Sequence, residues 1–77
     1  MAAIRLKSEV AGLVWQINKQ LGEDIAAGDI VMTIECMKME IPLVAVEKCT
    51  LKEIKVKEGE LVAEGQTVAI LETAFLS

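Results

Sequence analysis

The chain has no histidine and no tyrosine, and only one proline, one tryptophan and one phenylalanine among 77 residues. Without histidine, the commonest metal ligand and the usual general base are both missing. Cys36 and Cys49 lack the spacing of a zinc site, so no metal is expected. A chain this short buries only about 60–65% of its unfolded surface. That builds a small core and leaves no deep cleft, and no nucleophile–base pair stands out, so independent catalysis is not expected. No apolar run approaches the roughly 20 residues of a membrane-spanning helix, and the N-terminus lacks the apolar region of a signal peptide. Positive charge is also short: eight Lys and Arg face twelve Asp and Glu, a formal net charge of −4. This argues against general affinity for nucleic acid or an anionic membrane. What remains is one domain over residues 1–77, expected in the cytoplasm or, for a eukaryotic parent, in the mitochondrial matrix.

What the chain does have is small aliphatic residues. The apolar fraction is 53%, mostly Val, Ile, Leu and Ala, which suit the narrow interior of a small barrel or sandwich. Strands are expected near Ile4–Val10, Leu13–Asn18, Ile30–Ile34, Ile41–Val46, Leu51–Val56 and Val68–Leu71, with Ile25 as an inward anchor between two turns. Pro42 cannot donate a ladder hydrogen bond and marks an edge or a bulge, Gly12 reads as a turn or bulge residue, and Glu47-Lys48-Cys49 reads as a polar turn.

The two halves repeat. A shift of 37 residues places Gly22 on Gly59, Glu23 on Glu60, Ala26 on Ala63, Gly28 on Gly65, Val31 on Val68 and Glu35 on Glu72. Val14 meets Leu51, Ile25 meets Val62 and Ile34 meets Leu71. One half cannot bury its own apolar face, but two copies packed together can. The expected fold is all-β: a flattened barrel or sandwich of two antiparallel sheets, with halves of about 4–37 and 41–74 related by a pseudo-twofold.

Between the halves lies Glu35-Cys36-Met37-Lys38-Met39-Glu40. Apolar strand-like runs enter and leave it, so a tight hairpin is expected with its turn at residues 37–38. Two-residue hairpins favour Asn-Gly, Asp-Gly or Gly-Gly because their central residues take positive φ. None is present, so the turn holds non-glycine residues at about 1–3 kcal/mol each. Local rules tend to be broken where function requires it. One lysine is held at a tip between two methionines, with both termini expected at the opposite end.

This stretch resembles the attachment motif of biotinyl, or biotin carboxyl carrier, domains, in which the usual pattern is Glu-Ala-Met-Lys-Met. Here Cys36 replaces the usual small residue. The resemblance extends through Gly12-Leu13-Val14-Trp15, Gly22-Glu23-Asp24-Ile25, Ala27-Gly28-Asp29 and Glu58-Gly59-Glu60-Leu61-Val62. No "thumb" insertion separates Gly12 from Trp15 and Ile17, so the chain resembles the compact, thumb-less members. Cys49 stands where the repeat has Gly12 and the family commonly has glycine; a positive φ there would strain it. Lys19 stands opposite Val56 in the repeat, which suggests a frayed strand end.

The resemblance implies a lipoyl/biotinyl-type flattened barrel of two four-stranded antiparallel sheets. It implies covalent biotin on Lys38, with Met37, Met39 and Glu35 as flanking recognition residues. The implied partners are a biotin ligase and the biotin carboxylase and carboxyltransferase parts of a biotin-dependent carboxylase such as acetyl-CoA carboxylase. In that setting the arm carries carboxylate between the two sites, as in fatty acid biosynthesis. An exposed lysine amine is protonated at neutral pH, so its activation is expected from the ligase. A lipoyl carrier, a dual biotin/lipoyl attachment protein and an unmodified β-barrel interaction module are the alternatives.

Overall fold

The structure is a computed structural model, and residues 2–73 are described. The expected end of the second half at residue 74, and the apolar tail beyond it, lie outside the described residues. Eight strands follow one another: β1 (Ala2–Lys7), β2 (Gly12–Ile17), β3 (Asp24–Ile25), β4 (Ile30–Cys36), β5 (Met39–Val44), β6 (Cys49–Ile54), β7 (Leu61–Val62) and β8 (Thr67–Thr73). They form two four-stranded antiparallel sheets, ordered β1-β8-β6-β3 and β5-β4-β2-β7. Exchanging each strand for the one four places on converts either order into the other. The halves therefore interleave: each sheet takes two strands from each half, so neither half closes alone.

The core obeys the same symmetry. One buried cluster contains Val14, Met32, Ile34, Val62 and Val68. The other contains Leu51, Ala69, Leu71, Ile25 and Val31, which are the same five positions after the 37-residue shift. Strand β4 runs from Val31 in the second cluster to Ile34 in the first and continues to the hairpin. Strand β8 runs the other way, from Val68 to Leu71, and its last described residue, Thr73, pairs with Ala2. The domain measures 37 × 18 × 18 Å, with the hairpin at one pole and the described ends of the chain at the other.

Turns repeat in detail as well. The backbone N–H of Gln20 donates to the Glu23 carboxylate at 2.9 Å, and that of Lys57 to Glu60 at 3.1 Å. Ala26 N–H donates to Asp29 at 3.0 Å, and Ala63 N–H to the Gln66 side-chain oxygen at 2.9 Å. Each pair is related by the same shift, and each satisfies a backbone donor that a tight turn leaves without a ladder partner.

Several expectations need correction. The return strand begins at Met39 and ends at Val44, so Val46 lies in the connection beyond it and is 82% exposed. The sixth strand begins at Cys49 rather than after it, and Cys49 is a buried core residue, not part of a turn. It carries no φ strain, because neither Gly12 nor Cys49 takes positive φ. Lys19 is not at a frayed end. It follows β2, is half-buried, and reaches Glu23 and Asp29 at 3.5 Å each. Its counterpart Val56 fills the equivalent place as a buried apolar residue just past β6. The two-residue strands β3 and β7 are too short for an alternating pattern to show. Pro42 lies on β5, an edge strand, where its missing N–H removes no bond between two sheet neighbours.

Candidate functional site

The hairpin β4–β5 closes through Glu35 opposite Glu40 and Cys36 opposite Met39. Met37 and Lys38 make the turn with φ of 52° and 64°. Among the described residues they are the only non-glycine residues at positive φ. A turn with both central residues in this region follows the twist of the strands it joins, which is why hairpins adopt it despite the side-chain penalty. Four glycines take the same sign of φ elsewhere, at Gly22, Gly28, Gly59 and Gly65. The fold therefore supplies glycine at its other left-handed turns and withholds it at this one.

The base of the hairpin is fixed by a different glycine. A Cβ on Gly12 would overlap the Glu35 carbonyl oxygen and come within 2.9 Å of Ile34 Cγ2. Gly12 thus sets how closely β2 approaches β4 immediately before the tip. Behind it, Val14, Ile34 and Val62 belong to one core cluster. The turn is carried on strands anchored in packed interior, which holds a tip side chain in place better than a loop does.

Lys38 is exposed, and no hydrogen bond or ion pair engages its side chain among the described residues. Exposure alone does not single it out, because Lys7, Lys48 and Lys57 are exposed too. Lys19, Lys52 and Lys55 are held in ion pairs with Glu23 and Asp29, Glu72, and Glu53. What distinguishes Lys38 is the backbone beneath it.

Met37 is 90% exposed and Met39 is 62% exposed. Neither fills core, so both present a flexible thioether to whatever meets the tip. Glu35 is half-buried beside them and Glu40 is exposed. Cys36 is half-buried and Cys49 buried, and both are free thiols. They sit in different sheets and at opposite poles. Burial pushes the Cys49 thiol pKa up, and the nearby Glu47 carboxylate adds to the shift. A cavity of about 310 Å³ is lined by Ile4, Leu6, Val44, Val46, Cys49 and Leu71 among others. Those residues surround the second core cluster, so the cavity is away from the lysine. At the turn itself the reactive group is the Lys38 primary amine on a rigid projection, and the chemistry such an amine offers is acylation.

A family model described as "Biotin-requiring enzyme" matches residues 5–73. The chain is 42% identical over 60 residues to the biotin/lipoyl attachment protein of Bacillus subtilis strain 168, covering 78% of this chain and 82% of that protein. It is 38% identical over 58 residues to the dihydrolipoyllysine-residue acetyltransferase component of the acetoin cleaving system of the same strain, covering 75% of this chain and 14% of that one. Among solved structures, the urea carboxylase of Kluyveromyces lactis superposes with a TM-score of 0.86 and 34% identity over 92% of this chain, which is 6% of that one. The same unit thus makes up most of one relative and a small part of the other two. The chain belongs to the biotin/lipoyl attachment family.

Proposed function

We propose that Lys38 is the attachment lysine and that its group is biotin, making the domain the carboxyl carrier of a biotin-dependent carboxylase. The observation that carries this reading is the Met37-Lys38 turn, which keeps two side chains at positive φ where glycine would be cheaper. Lys38 Nζ, once deprotonated in a ligase, attacks the acyl carbon of an acyl-adenylate. A C–N bond forms, the acyl C–O bond to phosphate breaks, AMP leaves, and the amine gives up its proton to solvent. The ammonium becomes a neutral amide, so the formal net charge of −4 becomes one unit more negative.

Met37 and Met39 give the ligase two adaptable apolar contacts beside the amine, and Glu35 gives it a charged one. When bound, biotin supplies a ring nitrogen that takes up and releases a carboxyl group. The domain supplies delivery: a projecting turn lets the arm enter a biotin carboxylase site and then a carboxyltransferase site at high effective concentration.

Lipoate is the second reading, because the acetyltransferase relative is a dihydrolipoyllysine protein. Both readings are separated by one experiment. The purified protein is incubated with ATP and either biotin plus a biotin ligase or lipoate plus a lipoate ligase, then weighed intact and mapped by peptide. The expected result is a single biotin on Lys38, with Lys38→Arg folded and unmodified. Lipoate alone on Lys38 would replace the carboxyl-carrier reading. Biotin on another lysine of the folded protein would remove Lys38 from the site.

A further inference from the structure

The outer face beside the hairpin departs from the symmetry that governs the interior. In the β5-β4-β2-β7 sheet one cross-strand row reads Glu40, Glu35, Leu13, Leu61. Its members point outward, because their neighbours Val14, Ile34 and Val62 point into the core. Leu61 is 76% exposed. Trp15, the unpaired residue of the β2 bulge two positions from Leu13, is 46% exposed.

The 37-residue shift carries this row onto Ala3, Glu72, Thr50 and Asp24 at the other pole, in the same order across β1-β8-β6-β3. Trp15 is carried onto Lys52, which occupies the matching bulge of β6. There the face is polar and satisfies itself. Thr50 Oγ1 donates to Asp24 Oδ1 at 3.3 Å, and Lys52 Nζ to Glu72 Oε2 at 2.9 Å. One backbone therefore accepts polar residues at these positions, so folding does not require Leu13, Trp15 and Leu61. Replacing the lysine of the bulge by Trp15 also leaves Glu35 without the cation that its counterpart has, and no ion pair engages Glu35 or Glu40 among the described residues.

We infer that Leu61, Leu13 and Trp15, edged by Glu35 and Glu40, form the docking surface for the enzyme that acylates Lys38, whose matching face is an apolar seat edged by basic side chains. This rests on the reading that Lys38 is acylated. Two exposed apolar side chains, Leu61 and Trp15, with the half-buried Leu13 between them and two carboxylates outside any ion pair among the described residues, are complementary to such a face. Reach identifies the occupant. A bare lysine amine extends only about 6 Å from its backbone, so an enzyme acting on it must close over the tip and the row directly beneath it. Enzymes that use the loaded group meet it at the end of a longer arm and need no contact with this face.

The test exchanges residues between poles. Leu13→Thr and Leu61→Asp install the far pole's residues, singly and together, and loading is followed with biotin ligase, biotin and ATP by intact mass. The thermal midpoint should stay near wild type while kcat/KM for loading of the double variant falls by about tenfold or more, mainly through KM. Thr50→Leu with Asp24→Leu should load at the wild-type rate. Glu35→Gln with Glu40→Gln should weaken the salt dependence of KM. Should Leu13→Thr lower the midpoint, Leu61→Asp alone decides, because that side chain is solvent-exposed. Wild-type loading of a folded Leu61→Asp variant and of the folded double variant would overturn the docking surface while leaving the carrier intact. Wild-type protein that takes neither biotin nor lipoate at Lys38 would instead overturn the carrier reading, and the docking surface with it. If only lipoate is accepted, the same comparison is made with lipoate ligase, and an unchanged rate there counts equally against the surface.

Discussion

The interior and the poles of this domain follow different rules. Inside, Val14, Met32, Ile34, Val62 and Val68 have their counterparts in Leu51, Ala69, Leu71, Ile25 and Val31, all buried. At the poles the correspondence stops. One carries a strained turn, two exposed methionines and an outward row of leucines and glutamates. The other carries polar pairs that satisfy one another. A symmetric backbone needs a symmetric core, because each sheet must cover the other. Its outer faces are under no such constraint. Where they differ, the folding requirement is the same on both sides and cannot be the reason, which makes the far pole an internal control for the near one.

The sharpest test of the symmetric interior is a matched pair of truncations. Ile34→Ala and Leu71→Ala each remove the same number of carbon atoms from equivalent buried positions in the two clusters. Each should cost about 2–5 kcal/mol, with the two values close to each other in urea unfolding. The costs depend on how well each site collapses, and Met32 beside Ile34 is more adaptable than its counterpart Ala69 beside Leu71. Any difference should therefore make Leu71→Ala the costlier. An inexpensive Leu71→Ala beside a costly Ile34→Ala would show that the second cluster is a passive copy and that the equivalence is only topological.

The tip should respond in the opposite direction. Replacing Met37 by Asn and Lys38 by Gly together installs a preferred turn pair in a hairpin whose central residues already take positive φ. Little packing is lost, since Met37 is almost fully exposed. The variant should gain about 1 kcal/mol in unfolding free energy and accept no acyl group at the tip. A variant that is no more stable than wild type would mean that the methionine–lysine turn carries no strain, and the contrast with the glycine turns would lose its force.

Much of this is legible in the sequence. The repeat rests on Gly-Glu-x-Ile/Val-Ala-x-Gly in both halves, and its apolar positions turned out to be the two core clusters. The central hairpin follows from two strand-like runs with too few residues between them for anything else. Strand ends were less legible. Met39 reads as part of a tip motif and Cys49 as part of a polar turn, yet each begins a strand, because cross-strand pairing extends as far as a partner is available. Gly12 reads as a turn or bulge residue, but its constraint is contact with Glu35 across the sheet, which no local pattern encodes. The outer row is not legible in the matches of the repeat. Its mismatches, Leu61 against Asp24 and Trp15 against Lys52, held the signal, and they gain meaning only when the register places them on one face.

The smallest effect separates two otherwise equivalent turns by their charge. Asp29 and Gln66 occupy the same place in the two halves, and each accepts a backbone N–H, from Ala26 and Ala63. Only Asp29 titrates. The Ala26 N–H holds its pKa below the usual carboxylate value; partial desolvation opposes this, and the nearby Lys19 ammonium lowers it further. A carboxylate whose pKa is lower in the folded state stabilises that state fully above its unfolded pKa, about 3.9. The contribution then declines as pH falls through the folded value. Asp29→Asn keeps an oxygen acceptor and removes the charge. Its thermal midpoint should lie slightly below wild type at neutral pH, and the two should converge as pH drops below about 4. The gap is expected to be small because the site is exposed to solvent screening. Gln66→Glu should create a similar pH-dependent gap in the second turn, smaller because Val56 stands there in place of Lys19. A gap for Asp29→Asn that stays constant across the acid range would show that the charge is irrelevant and that only the acceptor geometry, which the two halves share, sets the turn.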